Sequence, residues 1–498
     1  MSIPRSAGVL LHPTSLPGPF GIGDLGPEAF AWVDALARAG QGWWQVLPVG
    51  PTGYGDSPYQ APSTFAGNPN LISPEWLERD QLLSAKDVAV CKLPAGPADF
   101  QAVIPRKREL VRRAWERFKA DGLAKMRAAF EAFRAAERWW LDEFALFQAI
   151  KSAHGELPWW EWPAPLTARD PAALAAVADA LADEIDAERF GQFLFARQWA
   201  ALREHAHNHG VRIIGDLPIY VARDSADVWA DPDQFLLDTD RNPTVVAGVP
   251  PDYFSADGQH WGNPIYDWDA HRRTGFAWWI DRLRACLRVF DLVRLDHFRG
   301  LEAFWAVPFG DPTAQRGRWM PGPGAGLLTA VRTALGSVPI IAEDLGFITP
   351  EVDALRTSFG LPGMRILQFA FGGAVEGRFL PHRFTRDAVV YTGTHDNNTT
   401  GGWFNKLTDA ERRNFVRYTP EADRNPVWSL IRLAWASVAD LAVAPLQDLV
   451  ELGSEARMNV PGTTTGNWRW RADTSATRQP EWVERLREMT EVYERLPS

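Results

Sequence analysis

Eight short apolar runs, bounded by glycine, proline or polar residues, recur along the 498-residue chain. They are Gly8–Leu16, Trp43–Val49, Val211–Val221, Leu292–His297, Val338–Leu345, Met364–Phe371, Ala388–His395 and Leu441–Val450. Runs of this length and composition read as buried strands. Helical patterns such as Glu28–Ala39 and Pro350–Phe359 lie between them. Strand alternating with helix implies a parallel sheet. Eight such strands predict an α/β fold, a (β/α)8 TIM barrel, in preference to an open doubly wound sheet.

The connections are unequal. About 160 residues separate the second and third runs and about 70 the third and fourth, too many for structureless loops in a compact domain. The chain therefore reads as one catalytic barrel over 1–498 with insertions after strands 2 and 3. The first, 51–210, is expected to be mainly helical, from the patterns Pro105–Ile150 and Asp170–Asn208. The second, 222–290, contains the Pro/Gly-rich stretch Asn242–Pro251 and is expected to carry an ordered loop covering the active site.

Strand ends decide where chemistry sits. The third run holds Gly215-Asp216, the fourth Arg294-Leu295-Asp296-His297, the fifth Ala342-Glu343-Asp344 and the seventh His395 followed by Asp396. Carboxylates thus gather at the C-terminal ends of four strands, where barrel active sites lie. A single such acid is explained by capping of the next helix; four together predict a shared catalytic site. Glycosidic bond cleavage uses two carboxyl groups, an acid on the leaving oxygen and a nucleophile or base. Its cationic transition state is stabilised by a further carboxylate. Asp296 is assigned as nucleophile. Arg294, two residues earlier, points to the same side of the strand, and a neighbouring cation favours an ionised carboxylate. Glu343 is assigned as acid/base. Asp344, next along, is its rival on the same strand, but should face the other way and cap a helix or bind backbone. Asp396, with His395, is expected to grip sugar hydroxyls, and Asp216 to hold a hydroxyl or order the site.

Composition narrows the partners. A net charge of −10 excludes the basic face of a nucleic-acid binder and suits a neutral substrate. The 24 tryptophans read mostly as core, some as faces for stacking sugar rings. The basic residues Arg106, Lys107, Arg108, Arg112 and Arg113 read as a solvated helix face. Two cysteines, neither in a CxxC pair, fit a reducing compartment. Met1–Leu11 does not read as a signal peptide, and no run approaches the ~18–20 apolar residues of a membrane helix. A cytoplasmic protein with no membrane partner is expected.

These motifs, together with Ser57-Pro58-Tyr59, Gly215–Val221, Arg294–Gly300, Ala342–Gly346, Thr394–Asn397, the loop Val249–Ser255, Gly258–Pro264 and Gly462–Trp468, resemble the 4-α-glucanotransferases of glycoside hydrolase family 77, in order from about residue 8 to about 470. The length resembles the compact form of that family, without an added N-terminal carbohydrate-binding region. The resemblance implies Asp296 as nucleophile, Glu343 as acid/base and Asp396 as transition-state stabiliser. It implies substrate contacts at Tyr59, Asp216, Gln259, Trp261, Arg294, His395 and Asn467. It further implies transfer of α-1,4-glucan segments from maltooligosaccharides, amylose, starch or glycogen-derived glucans to glucose or glucan acceptors. A retaining α-glucan hydrolase of the amylase type is the alternative. Transfer prevails if the covalent intermediate is shielded from water, and the 245–262 loop, with Tyr253, Phe254 and Trp261, is the candidate shield.

No cofactor and no metal is expected. Gly21-Ile22-Gly23-Asp24-Leu25-Gly26 fits GxGxxG, but prolines separate it from strand and helix, which a dinucleotide site requires adjacent. Asp238-x-Asp240-x-Asn242 lacks the glycine and glutamate of a calcium loop. His205, His207 and His209 precede Gly210 at a predicted helix end, a position favourable for histidine on dipole grounds.

Overall fold

The computed structural model describes residues 3–121, 124–251, 255–372 and 377–497. Its described residues form twelve strands: β1 Ser6–Leu10, β2 Trp43–Gln45, β3 Arg212–Leu217, β4 Val245–Val249, β5 Gln259–Pro264, β6 Leu292–Leu295, β7 Ala303–Pro308, β8 Arg318–Pro321, β9 Ile340–Ala342, β10 Gly363–Ile366, β11 Ala388–Tyr391 and β12 Leu441–Pro445. Eight of them close into a barrel in the order β1-β12-β11-β10-β9-β6-β3-β2, all pairs parallel. The chain is a (β/α)8 barrel. Each strand is shorter than its apolar run, because the run continues into the turn that follows; Leu441–Val450, for example, ends as the helix Leu446–Leu449.

The strands are apolar throughout because both faces are covered. Leu10, Trp43, Ile214, Ile341, Met364 and Val443 pack inside the barrel. The opposite faces pack on helices such as Pro27–Arg38 and Pro426–Ala436, whose buried Trp32 and Trp435 belong to a larger surrounding core. Seven of the 24 tryptophans are consumed in the protein's cores: Trp32, Trp44, Trp159, Trp229, Trp279, Trp435 and Trp482 are all fully buried.

Between β2 and β3 lie the long helices Phe100–Asp121, Ala124–Ala153 and Ala182–Asn208. Trp115, Phe118, Phe130 and Phe190 pack ring against ring where they meet, mostly edge-on or tilted. Lys107 corrects the expectation of a solvated basic face. It is 3% exposed, and its Nζ bonds Asp24 at 3.0 Å and the Ile72 carbonyl at 2.6 Å. That pairing also explains the GxGxxG segment, whose Asp24 is the buried partner of a structural lysine.

The stretch Asn242–Pro251, expected as a loop, contains β4. An antiparallel sheet β5-β4-β7-β8 forms beside the barrel. Tyr253 and Phe254, expected to shield the site, fall outside the described residues. Among the described residues no helix is long and apolar enough to cross a membrane.

Candidate active site

Strand register builds the site. Asp216 on β3 lies opposite Arg294 on β6, and Leu295 lies opposite Ala342 on β9. The next residue on each of the latter strands is Asp296 and Glu343. The ladder carries past the strand ends, with the Glu343 N–H donating to the Leu295 carbonyl at 3.1 Å and the Asp296 N–H to Leu217 at 3.0 Å. The two acids therefore emerge from neighbouring strands, spaced about 4.8 Å apart in any sheet.

His297 then turns the chain sharply. Its φ of 51° and ψ of 48° are left-handed, a costly conformation for a side chain with a Cβ. The turn aims the His297 N–H at Glu343 Oε2, 2.8 Å away. Glu343 Oε1 accepts the Leu345 N–H at 2.9 Å. Glu343 is thereby locked beside the residue that carries Asp296.

One guanidinium joins two strands. Arg294 Nη1 donates to both Asp216 oxygens at 2.9 and 2.7 Å, and Nη2 to Asp296 Oδ1 at 2.7 Å. Asp216 also accepts from the Tyr59 hydroxyl at 2.9 Å, and that hydroxyl lies 2.9 Å from His395 Nε2. His395 Nε2 is 3.4 Å from Asp396 Oδ2. A continuous polar chain thus runs Asp396–His395–Tyr59–Asp216–Arg294–Asp296. Arg294 and Asp216 are buried, whereas the Asp296 side chain is 31% exposed and that of Asp396 42%. The latter two face the open end, where a sugar can reach them.

Electrostatics separate the acids. Burial, and then repulsion from Asp296, push the Glu343 carboxyl up to about 8, with Arg294 and the two backbone N–H groups opposing the rise. At neutral pH Glu343 holds a proton, as a general acid must. Burial pushes the Asp216 carboxyl up to about 6 against the pull of Arg294, so Asp216 remains the anion of its ion pair. Asp344 behaves as its position on the strand predicts. It faces away, fully buried, accepting from the Met364 N–H at 2.6 Å and from Arg365 Nη1 at 3.2 Å. A Cβ on Gly363 would overlap its carboxylate, so glycine is required there.

The other sequence-assigned residues are less directly engaged. Trp261 packs edge-on against the His297 ring at 4.8 Å, and its Nε1 donates to Gln259 Oε1 at 3.0 Å. Both border the site from β5. Asn467 lies in the 460–468 loop, but its side chain is spent on that loop: Nδ2 donates to the Thr463 carbonyl and hydroxyl at 3.0 Å, and Oδ1 accepts from Val460 at 3.0 Å. It therefore shapes the loop rather than joining the polar chain.

The profile of the 4-alpha-glucanotransferase family matches residues 11–476. The chain is 51% identical to the 4-alpha-glucanotransferase of Thermus thermophilus, with 100% of both chains covered. The chain belongs to the 4-alpha-glucanotransferase family. The Synechocystis 4-alpha-glucanotransferase is 48% identical over 94% of each chain. Among solved structures, an amylomaltase from Streptococcus agalactiae in complex with acarbose superposes with a TM-score of 0.95 at 37% identity, covering 99% of each chain. The amylomaltase of Corynebacterium glutamicum shares the fold, with a TM-score of 0.77 at 19% identity over 98% of this chain and 75% of that one. The chain is thus a glucan-transferring enzyme, and the amylase-type hydrolase alternative yields to this reading.

Three contacts in this 4-alpha-glucanotransferase lack a sequence-level signal. Asn459 Nδ2 donates to Asp396 Oδ1, and Arg457 Nη2 to the Asp396 carbonyl, both at 2.6 Å. Trp468, left-handed at φ 63°, packs against both Tyr59 and His395, with ring centroids 5.7 and 6.0 Å away. All three residues come from the irregular segment after β12, roughly sixty to seventy residues beyond Asp396.

Proposed function

We propose that this enzyme transfers α-1,4-glucan segments by a retaining double displacement. Asp296 is the nucleophile, Glu343 the acid and then the base, and Asp396 the anion that stabilises the oxocarbenium-like transition state. Tyr59, Asp216, Gln259, Trp261, Arg294, His395 and Asn467 bind the glucan or hold those that do. The donors are maltooligosaccharides, amylose, and starch- or glycogen-derived glucans. The acceptors are glucose or another glucan 4-hydroxyl. No cofactor is invoked, because acid, nucleophile and stabilising anion are all side chains. The enzyme works in the cytoplasm, as one barrel with insertions over 51–210 and 222–290, the latter shielding the intermediate.

The observation that carries this reading is the pairing of two unlike carboxyls on adjacent strands. Asp296 is ion-paired with Arg294, and Glu343 is raised to about 8 beside it. The test is the product ladder from maltotriose. The native enzyme should give glucose together with longer oligomers. Glu343→Gln should lose about 10²–10⁴-fold in kcat, and Asp296→Asn should form no glycosyl-enzyme. Glucose with no lengthened product, or full activity in either variant, would overturn the assignment.

A further inference from the structure

A second cluster of ligating side chains lies at the opposite end of the barrel. The helix Pro27–Arg38 leads into β2 and the helix Ala182–Asn208 into β3, so both helices end near the N-terminal ends of these strands. Asp34 of the first converges there with His205 of the second and His209, the residue capping it. One ligand atom from each lies within 4.8 Å of the other two.

His205 and His209 stand one helical turn apart, with ring centroids separated by 4.2 Å. Asp34 Oδ1 is 2.7 Å from His205 Nε2 and 3.8 Å from His209 Nε2. His209 Nδ1 lies 2.8 Å from the His205 carbonyl, which can only accept. The Nδ1 proton is therefore fixed, and Nε2 is the ring atom turned toward Asp34. A bond from the second ring nitrogen to a backbone carbonyl is the outer-shell contact that orients a metal-binding imidazole. His207, between the two on the sequence, points away and bonds both oxygens of Asp291 at 3.0 Å.

We propose that Asp34, His205 and His209 form a site for a divalent transition-metal ion of the zinc type. Two imidazoles and one carboxylate suit zinc, cobalt, nickel or copper, whereas calcium and magnesium demand oxygen ligands. The three residues are partly exposed, which leaves room for water to complete the coordination. An ion there would pin the helix before β2 to the helix before β3, the strand whose other end carries Asp216. The sequence reading, which gave all three histidines to the helix end, is revised for two of them.

The test uses the chelator-treated full chain. Zinc is titrated calorimetrically, cobalt is followed by its visible absorption, and the melting temperature is read with and without zinc. The native chain should bind one zinc ion at this site, give a low-symmetry cobalt spectrum, and melt higher with zinc. His209→Gln, at an exposed helix end, and Asp34→Asn should each weaken binding at least about tenfold and lose the zinc-dependent rise in melting temperature. His207→Gln should bind as the native chain does. No binding at micromolar zinc, or equal binding in native, Asp34→Asn and His209→Gln chains, would overturn the proposal. Zinc displaced by maltotriose would overturn it too, because the ion would then sit among the catalytic carboxylates.

Discussion

Glu343 should make the enzyme less stable as pH rises, and Glu343→Gln should remove that dependence. In the folded chain its carboxyl is pushed from the ordinary 4.5 to about 8. Between those values the unfolded chain has released a proton that the folded chain retains. Folding then binds a proton, so stability falls with rising pH across this window. Below about 4.5 both states are protonated and the effect vanishes. The slope is about 1.4 kcal/mol per pH unit, or about 3 kcal/mol at pH 7. For a chain of this length, an unfolding entropy of about 2.1 cal/mol/K per residue makes 1 kcal/mol worth about 1 °C in Tm. The amide of glutamine cannot accept both the His297 and Leu345 N–H bonds, a fixed cost of about 1–3 kcal/mol. That cost moves the two melting curves apart equally at every pH. The diagnostic is therefore the slope: Tm of Glu343→Gln minus Tm of the native enzyme should rise by about 1.4 °C per pH unit from 5 to 8 and be flat below 4.5. Thermal scans followed by tryptophan fluorescence resolve such differences. A constant gap over that range would show that Glu343 is not held protonated, and the assignment of its acid role on electrostatic grounds would fail.

Three more outcomes follow from the same geometry. Tyr59→Phe removes the hydroxyl that contacts Asp216 and His395, each at 2.9 Å. Losing a bond to a charged group, about 1.5–3 kcal/mol, should lower kcat/KM on maltotriose roughly 10–150-fold with the fold intact by circular dichroism; wild-type kinetics would refute the polar chain. Arg294→Met strands Asp216 as a buried anion, so the variant should lose about 3–5 kcal/mol of stability along with activity, read as a lower Tm at pH 8 that partly recovers at pH 5, where Asp216 takes up a proton. Trimming the 245–262 segment, or Trp261→Ala within it, should raise glucose release by hydrolysis relative to transfer; an unchanged ratio would remove this segment from the role of water shield.

What the sequence reveals depends on how far each feature reaches. Barrel strands are legible because burial on both faces makes each a continuous apolar run. Their ends are less so, since Ile219 and Val221 after β3 are as buried as the strand itself and only the hydrogen-bond ladder marks where pairing stops. The β5-β4-β7-β8 sheet escapes because β5 and β8 mix polar residues with glycine and proline instead of forming continuous apolar runs, and β4 pairs with β7 about sixty residues away. Lys107 sits among exposed neighbours on its helix, and the anion that buries it, Asp24, is 83 residues distant. In the site, Asp216, Asp296 and Glu343 are legible because strand ends and side-chain alternation place them. The left-handed turn at His297 and the grip of Arg457 and Asn459 on Asp396 are not, because backbone strain and contacts made by irregular segments leave no periodic trace.

The charge balance of the site gives these contacts a common purpose. The Arg294 guanidinium bonds both Asp216 and Asp296, and its charge is largely spent on those two anions. Asp396, anchored by Asn459 and close to His395, adds a third carboxylate at the open end. A fourth ionised acid would be poorly compensated in so buried a place, and Glu343 meets that constraint by keeping its proton. A glucan in its ground state is neutral and gains little from this negative surplus. In the proposed mechanism the oxocarbenium-like transition state is positive, and as it forms the proton leaves Glu343 for the departing oxygen. Positive charge then grows between fixed anions whose positions need no reorganisation, so stabilisation falls on the transition state rather than on the bound substrate. The strain at His297 and the resistance of the fold to ionising Glu343 are costs of that preorganised field, which is why replacing Glu343 should steady the fold at high pH while it disables the proposed reaction.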